Sequence, residues 1–141
     1  MQVNQDFNPS VYISRSYGDG HIVLYLPSDK RGAEPAPGEP PLPTKRVQRS
    51  IIITPRNLIE DWAPQTHAEL TEAHFETIAA LNPEIVLLGT GSKLVFPKPA
   101  FTAPLLRRGI GVETMATAAA CRTYNFLVSD GRDVAVALMM M

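Results

Sequence analysis

The chain has a single cysteine, Cys121, in 141 residues. One thiol excludes an internal disulfide framework and any cysteine-rich zinc site, and it points to a reducing compartment. Long apolar runs are also missing. The longest, Val134 to Met141, has eight residues, far below the roughly 18 that suggest a membrane span. Charge of one sign is not in excess: 13 Lys+Arg stand against 14 Asp+Glu, a formal net charge of -1. That balance removes the electrostatic footprint of a general nucleic-acid binder and leaves no strong field to steer charged ligands. The start, Met1-Gln2-Val3-Asn4-Gln5-Asp6, has neither a basic n-region nor an apolar h-region, so the expected location is cytoplasmic. No G-x-S-x-G elbow, Ser-His-Asp order or close carboxylate pair in an apolar setting is present, so no residue is assigned a catalytic role.

What is present is a chain 45% hydrophobic and long enough to bury a core without disulfides or a structural metal. A single α/β domain over residues 1–141 is the expectation. Val11 to Tyr17 and His21 to Leu26 are rich in β-branched and aromatic residues, with Gly18-Asp19-Gly20 between them to reverse the chain, which predicts a β-hairpin. Six prolines between Pro27 and Pro43 exclude helix and sheet ladder and predict an exposed loop over 27–44. Val47 to Thr54, containing Ile51-Ile52-Ile53, reads as a strand buried on both faces and paired with the hairpin. Thr71 caps a predicted helix with Phe75, Ile78 and Ala79 on one face, ended by Asn82-Pro83. Strand and helix then alternate: Glu84 to Leu88, Pro99 to Arg108, Gly111 to Met115, Thr117 to Ser129, Asp133 to Met139. The alternation predicts an α/β layered fold with a Rossmann-like second half and an N-terminal β-hairpin that adds to the sheet or covers one edge.

Topology singles out one candidate ligand-binding crevice. Gly89-Thr90-Gly91 follows directly on a buried strand, the position where ligands gather in open α/β sheets. A right-handed crossover makes the strand ending at Met115 parallel to it, so the helix opening at Thr117 faces the same crevice. The amides of Ala118, Ala119 and Ala120, the helix dipole and Arg122 suit a phosphate or carboxylate there, with Ser92 and Lys93 as further contacts. In the alternative reading the glycines only turn the chain and Arg122 pairs with Glu113, Asp130 or Asp133. The full dinucleotide fingerprint fails at Leu94, and no G-K-[ST] follows the loop, so no cofactor is expected.

Other groupings read as structural. Cys121, within Ala118-Ala119-Ala120-Cys121, is a buried thiol in a helix packed close to its sheet, because none of His21, His67 or His74 is near it in sequence to act as a base. His67, Glu69, Glu72, His74 and Glu76 lack metal-ligand spacing and read as solvated charge at a helix start, so no metal is expected. Lys45, Arg46 and Arg49 suit edge protection, and Arg107-Arg108 a helix C-terminus.

Four stretches carry a family resemblance: Ile85-Val86-Leu87-Leu88-Gly89-Thr90-Gly91, Arg108-Gly109-Ile110-Gly111-Val112-Glu113-Thr114-Met115, Ala119-Ala120-Cys121-Arg122-Thr123-Tyr124-Asn125-Phe126-Leu127, and Asp130-Gly131-Arg132-Asp133-Val134-Ala135-Val136-Ala137-Leu138. Together, over roughly Tyr12 to Leu138, they resemble the α/β domain family that includes mitochondrial respiratory complex I assembly factor 3 and its bacterial and archaeal relatives. The resemblance implies a three-layer α/β fold with a central mixed sheet. For the mitochondrial relatives it implies a non-enzymatic role through protein contacts, so the partners expected here are proteins. It transfers no catalytic residue, and Ala116 stands where many relatives carry an acid.

Overall fold

The computed structural model describes residues 10–30, 37 and 43–141. A hairpin of β1 (Ile13–Gly18) and β2 (His21–Tyr25) is followed by β3 (Thr44–Val47), β4 (Ile51–Ile53), β5 (Leu58–Ile59) and α1 (Glu72–Ala79). The second half runs β6 (Ile85–Thr90), α2 (Pro99–Arg107), β7 (Gly111–Met115), α3 (Thr117–Ser129) and β8 (Val134–Met139). Most of the proline-rich loop expected over 27–44 lies outside the described residues. At its start, Ser28–Lys30 forms a 3₁₀ turn.

Two sheets result. β1-β2-β3 is antiparallel, and a five-stranded mixed sheet has the order β5-β4-β8-β6-β7. β6 pairs in parallel with both β7 and β8, whereas β4 runs antiparallel to β8 and to β5. The expected parallel placement of the strand ending at Met115 is therefore present, and so is the alternating second half.

Period-two geometry explains why these strands read as uninterrupted apolar runs: successive side chains serve opposite faces, and both faces are covered. Ile51, Ile53, Leu87, Val134, Val136 and Leu138 bury into one cluster with α3 and the small sheet. Ile52, Val86, Leu88, Ala135, Ala137 and Met139 bury into a second, with Phe75 and Ile78 of α1, Leu105 of α2, and Trp62. The registers Ile52↔Ala137 and Leu87↔Val136 keep each face in phase across the sheet. The result is three layers about a central mixed sheet.

The strand expected over Val47 to Thr54 is divided. Thr44–Val47 pairs with the hairpin, and Ile51–Ile53 enters the other sheet. Between them the amide of Ser50 donates to Gln65 Oε1 at 3.0 Å, fixing a bend where a continuous strand would leave Ile51 in the wrong sheet. The hairpin accordingly builds a sheet of its own instead of extending the main one. β3 is an edge of that sheet, and its Lys45 pairs with Glu60 at 3.2 Å.

α3 joins the two sheets. A bulge in β1 leaves Arg15 without a partner in the β2 register, between Ser14↔Leu24 and Ser16↔Val23. Asn125 satisfies the backbone beside it: Oδ1 accepts from Ser14 N at 2.9 Å, and Nδ2 donates to Ser14 O at 2.7 Å. From the preceding residue the buried Tyr124 hydroxyl donates to the carbonyl of Tyr12 at 2.9 Å, with that of Thr54 at 3.3 Å. A carboxamide and a phenol thus replace the ladder bonds that a further strand would make.

Because each substitution leaves buried backbone groups unpaired, Asn125→Ala is expected to destabilise the fold by about 2 kcal/mol and Tyr124→Phe by about 1–2 kcal/mol. Urea unfolding followed by far-UV circular dichroism measures both, and Thr123→Ala on the same helix serves as the reference.

Candidate functional site

The crevice selected by topology is built as its parts suggest, and within it Gly91, Thr117 and Met139 bond one another, while the Ala120 amide donates to Ala116 O at 3.0 Å. Gly89 and Thr90 end β6, Gly91 follows at φ 94°, and Thr117 opens α3 against them. The Thr117 hydroxyl is wholly buried, accepts from Gly91 N at 2.8 Å and donates to Met139 O at 2.7 Å. Its amide donates to Gly91 O at 2.9 Å. Three segments meet on one residue.

Gly89 is glycine for a steric reason. A Cβ there would lie 2.8 Å from Leu138 Cδ2 and 3.0 Å from the Cα and Oγ1 of Thr117, inside contact distance of backbone that cannot yield. Thr90 donates to Lys93 O at 2.6 Å and accepts from Val95 N at 3.1 Å, so its hydroxyl organises the loop that follows β6. The C-terminal end of β6 brings together Gly89, Thr90, Gly91 and Thr117, with Ala118 half-buried in the first turn of α3.

Arg122 goes elsewhere. Its Nη1 donates to the Tyr17 hydroxyl at 2.6 Å, tying α3 to β1. Neither the counter-charge role at the glycines nor a pairing with Glu113, Asp130 or Asp133 describes that contact. Asp133 lies beside a different cation: Arg132 Nε donates to Glu84 Oε1 at 3.0 Å, and that carboxylate also accepts from the Asp133 amide. The two bonds hold the Glu84 carboxyl below its ordinary range.

Cys121 is buried in the first core cluster, where burial raises its thiol pKa despite the Ser14 hydroxyl and the Arg122 charge. It matches the structural reading. The acidic, histidine-containing segment is dispersed. His67 Nε2 donates to Phe96 O at 3.0 Å, Glu69 accepts from the Thr66 hydroxyl, and Glu72 pairs with Arg107 at 3.5 Å. His74 Nδ1 accepts from the Thr71 amide at 3.0 Å, the reciprocal bond of a capping box with imidazole in the usual carboxylate's place. An open groove of about 460 Å³ between α1 and α2 is lined by Glu76, Ala79, Pro104, Arg107 and Arg108. Both its guanidiniums are engaged, Arg107 by Glu72 and Arg108 by the Ala79 carbonyl at 2.8 Å.

In the segment between β6 and α2, Val95 and Phe96 carry no recognisable motif. Leu94, Val95 and Phe96 are exposed, Phe96 to 72%. The available signal was an apolar triplet with Lys93 before it and Pro97-Lys98 after it, in a stretch too short and too proline-bounded for a strand or helix.

If the glycine–threonine junction is a structural joint, Thr117→Val is expected to cost about 2–3 kcal/mol, because it strands a buried N–H and a buried carbonyl, while Thr117→Ser retains most of the stability. Gly89→Ala is expected to cost about 1–3 kcal/mol through overpacking. Denaturant midpoints give both values. Burial raises the pKa of the Tyr124 phenol as well as that of the Cys121 thiol. The folded chain therefore keeps protons that the unfolded chain releases, and stability should fall as pH rises above about 8.5. Cys121→Ala is expected to flatten the early part of that decline, and the native thiol should react with a disulfide reagent only at the rate of unfolding.

Comparison with known proteins extends the geometry. The family described as "Protein of unknown function (DUF498/DUF598)" matches residues 37–139. The mouse (Mus musculus) protein named NADH dehydrogenase (ubiquinone) 1 alpha subcomplex assembly factor 3 is 35% identical over 96 residues, 67% of this chain and 51% of that protein. The 13 kDa major membrane protein of Francisella tularensis is 40% identical over 65 residues, 46% of this chain and 53% of that one. The chain thus spans about half the length of these curated relatives. A crystal structure of a Bordetella parapertussis protein superimposes with a TM-score of 0.74 at 33% identity, covering 92% of this chain and 96% of that one. Among the described residues no helix is long and apolar enough to cross a membrane. With the same α/β fold and a match over most of its length, the chain belongs to the DUF498/DUF598 family.

Proposed function

We propose that this chain is an assembly-factor-like protein that works in the cytoplasm by contacting subunits of a respiratory NADH dehydrogenase. The observation that carries the reading is its 35% identity over 96 residues to a relative named for assembly of that enzyme. The surface is compatible with such work. Phe96 and Phe126 are exposed to 72% and 69%, and Leu106 to 60%, at three separated places in the chain. The mutual bonding of Gly91, Thr117 and Met139 supports a structural role for the glycine loop.

The test is affinity purification of the tagged full chain from its source cells under native conditions, with mass spectrometry, beside a strain from which the chain is deleted. Enrichment of NADH dehydrogenase subunits, together with less assembled enzyme on native gels of the deletion strain, is the expected result. Recovery of no specific protein, with assembly intact in the deletion strain, would overturn it.

A further inference from the structure

The segment from Ser92 to Lys98 combines two properties that rarely coincide without a partner. Its three central side chains are apolar and exposed: Leu94 to 49%, Val95 to 40% and Phe96 to 72%. Its main chain is nonetheless held. The Thr90 hydroxyl bonds both Lys93 O and Val95 N, His67 from a separate 3₁₀ turn donates to Phe96 O, and the Lys98 carbonyl accepts from Phe101 N at the start of α2. Pro97 restricts the backbone between the last two anchors. An apolar loop that only connected β6 to α2 would gain nothing from holding the main chain on both sides of its phenylalanine.

Charge narrows the choice of partner. Between Glu84 and Glu113 the sequence has no Asp or Glu, while Lys93 and Lys98 flank the apolar triplet. Lys98 lies over the Phe101 ring at 5.6 Å, so its ammonium stays beside the loop. Glu69, two residues from His67, is the nearby acid in sequence, and it accepts from the Thr66 hydroxyl.

We propose that Leu94, Val95 and Phe96 form a docking knob for a protein partner, seating Phe96 in an apolar pocket whose rim carries carboxylates facing Lys93 and Lys98. The proposal rests on the assembly-type function in taking the occupant to be a protein, and it names the surface and the chemistry of that contact. Buried aromatic anchors with a polar surround are how protein interfaces concentrate affinity. Pre-ordering lowers the entropy lost when such an anchor docks. A lipid surface accommodates any shape and needs no such ordering. Even a whole myristoyl chain attaches only marginally by itself, and three partly exposed side chains offer less apolar surface.

The experiment uses the full chain and a phage-displayed random-peptide library as probe. Wild-type protein is expected to enrich peptides with an apolar or aromatic centre flanked by Asp or Glu. Phe96→Ser should weaken the selected peptides by about tenfold or more. Lys93→Glu with Lys98→Glu should reverse the charge preference of the flanks. Leu81→Ser, at an exposed position (37%) just after α1, should leave binding unchanged, and thermal melts verify that each surface variant is folded. Selection of no peptides, selection indifferent to Phe96→Ser, or Phe96-dependent binding to vesicles of equal parts phosphatidylcholine and phosphatidylglycerol would overturn the proposal. The affinity purification separates the two readings. Subunits recovered equally by wild type and Phe96→Ser refute the knob and leave the assembly role standing, whereas loss of those subunits with Phe96→Ser alone supports both.

Discussion

The structure turns on how α3 is seated. Thr117, wholly buried, bonds the amide and carbonyl of Gly91 and the carbonyl of Met139, so the end of β6, the end of β8 and the start of α3 are fastened at one point. That seat exists only because Gly89 has no side chain, which lets the helix backbone approach the strand. From there the helix crosses the large sheet, and its second and third turns present Cys121, Tyr124 and Asn125 to the small one. Were α3 displaced outward by the width of a methyl group, the Asn125 carboxamide and the Tyr124 phenol would lose their backbone partners in the hairpin region. Two sheets with no mutual ladder are thereby tied by side-chain bonds from this helix, beside main-chain bonds from Tyr12 N to Pro55 O and from Gly20 N to Met141 O, each 2.9 Å.

This division of labour bears on function. A glycine-rich turn after a parallel strand facing a helix N-terminus is the geometry of many anion sites. Here the same geometry is filled by a threonine hydroxyl and by main chain, and the nearby cation is committed to Tyr17. The joint is internal. The solvent-facing features that stand apart lie in the segment leaving that joint, where the Thr90 hydroxyl passes order from the end of β6 into an exposed apolar loop. One strand terminus therefore anchors both the core helix and the surface knob.

Much of this could be read from the residues. Ile85 to Leu88 and Val134 to Met139 have the unbroken apolar character of strands covered on both faces, and Ile52 and Ile53 do in fact serve opposite clusters. Thr71, Phe75, Ile78 and Ala79 located α1 through its cap and buried face. Gly89, Thr90, Gly91 and Thr117 were brought to one place by topology alone. The division at Ser50 was harder to see, since Val47 and Ile51 are equally strand-like and the bend between them is marked by a bond from Ser50 to the remote Gln65. Arg122 found a phenol 105 residues away instead of a carboxylate near in sequence.

The single cysteine and the balanced charge limited what this protein is, and the two local periods, two for strands and near four for helices, determined its elements and which residues enter the core. Those patterns record how a residue sits relative to its own backbone, so they survive without knowledge of any neighbour. Tertiary structure alone decided which sheet each strand joined, which partner each polar side chain took, and that Phe96 remained outside while Tyr124 went in. These choices depend on distances between segments remote in sequence, and a competition among several chemically adequate partners is settled only when the chain has packed.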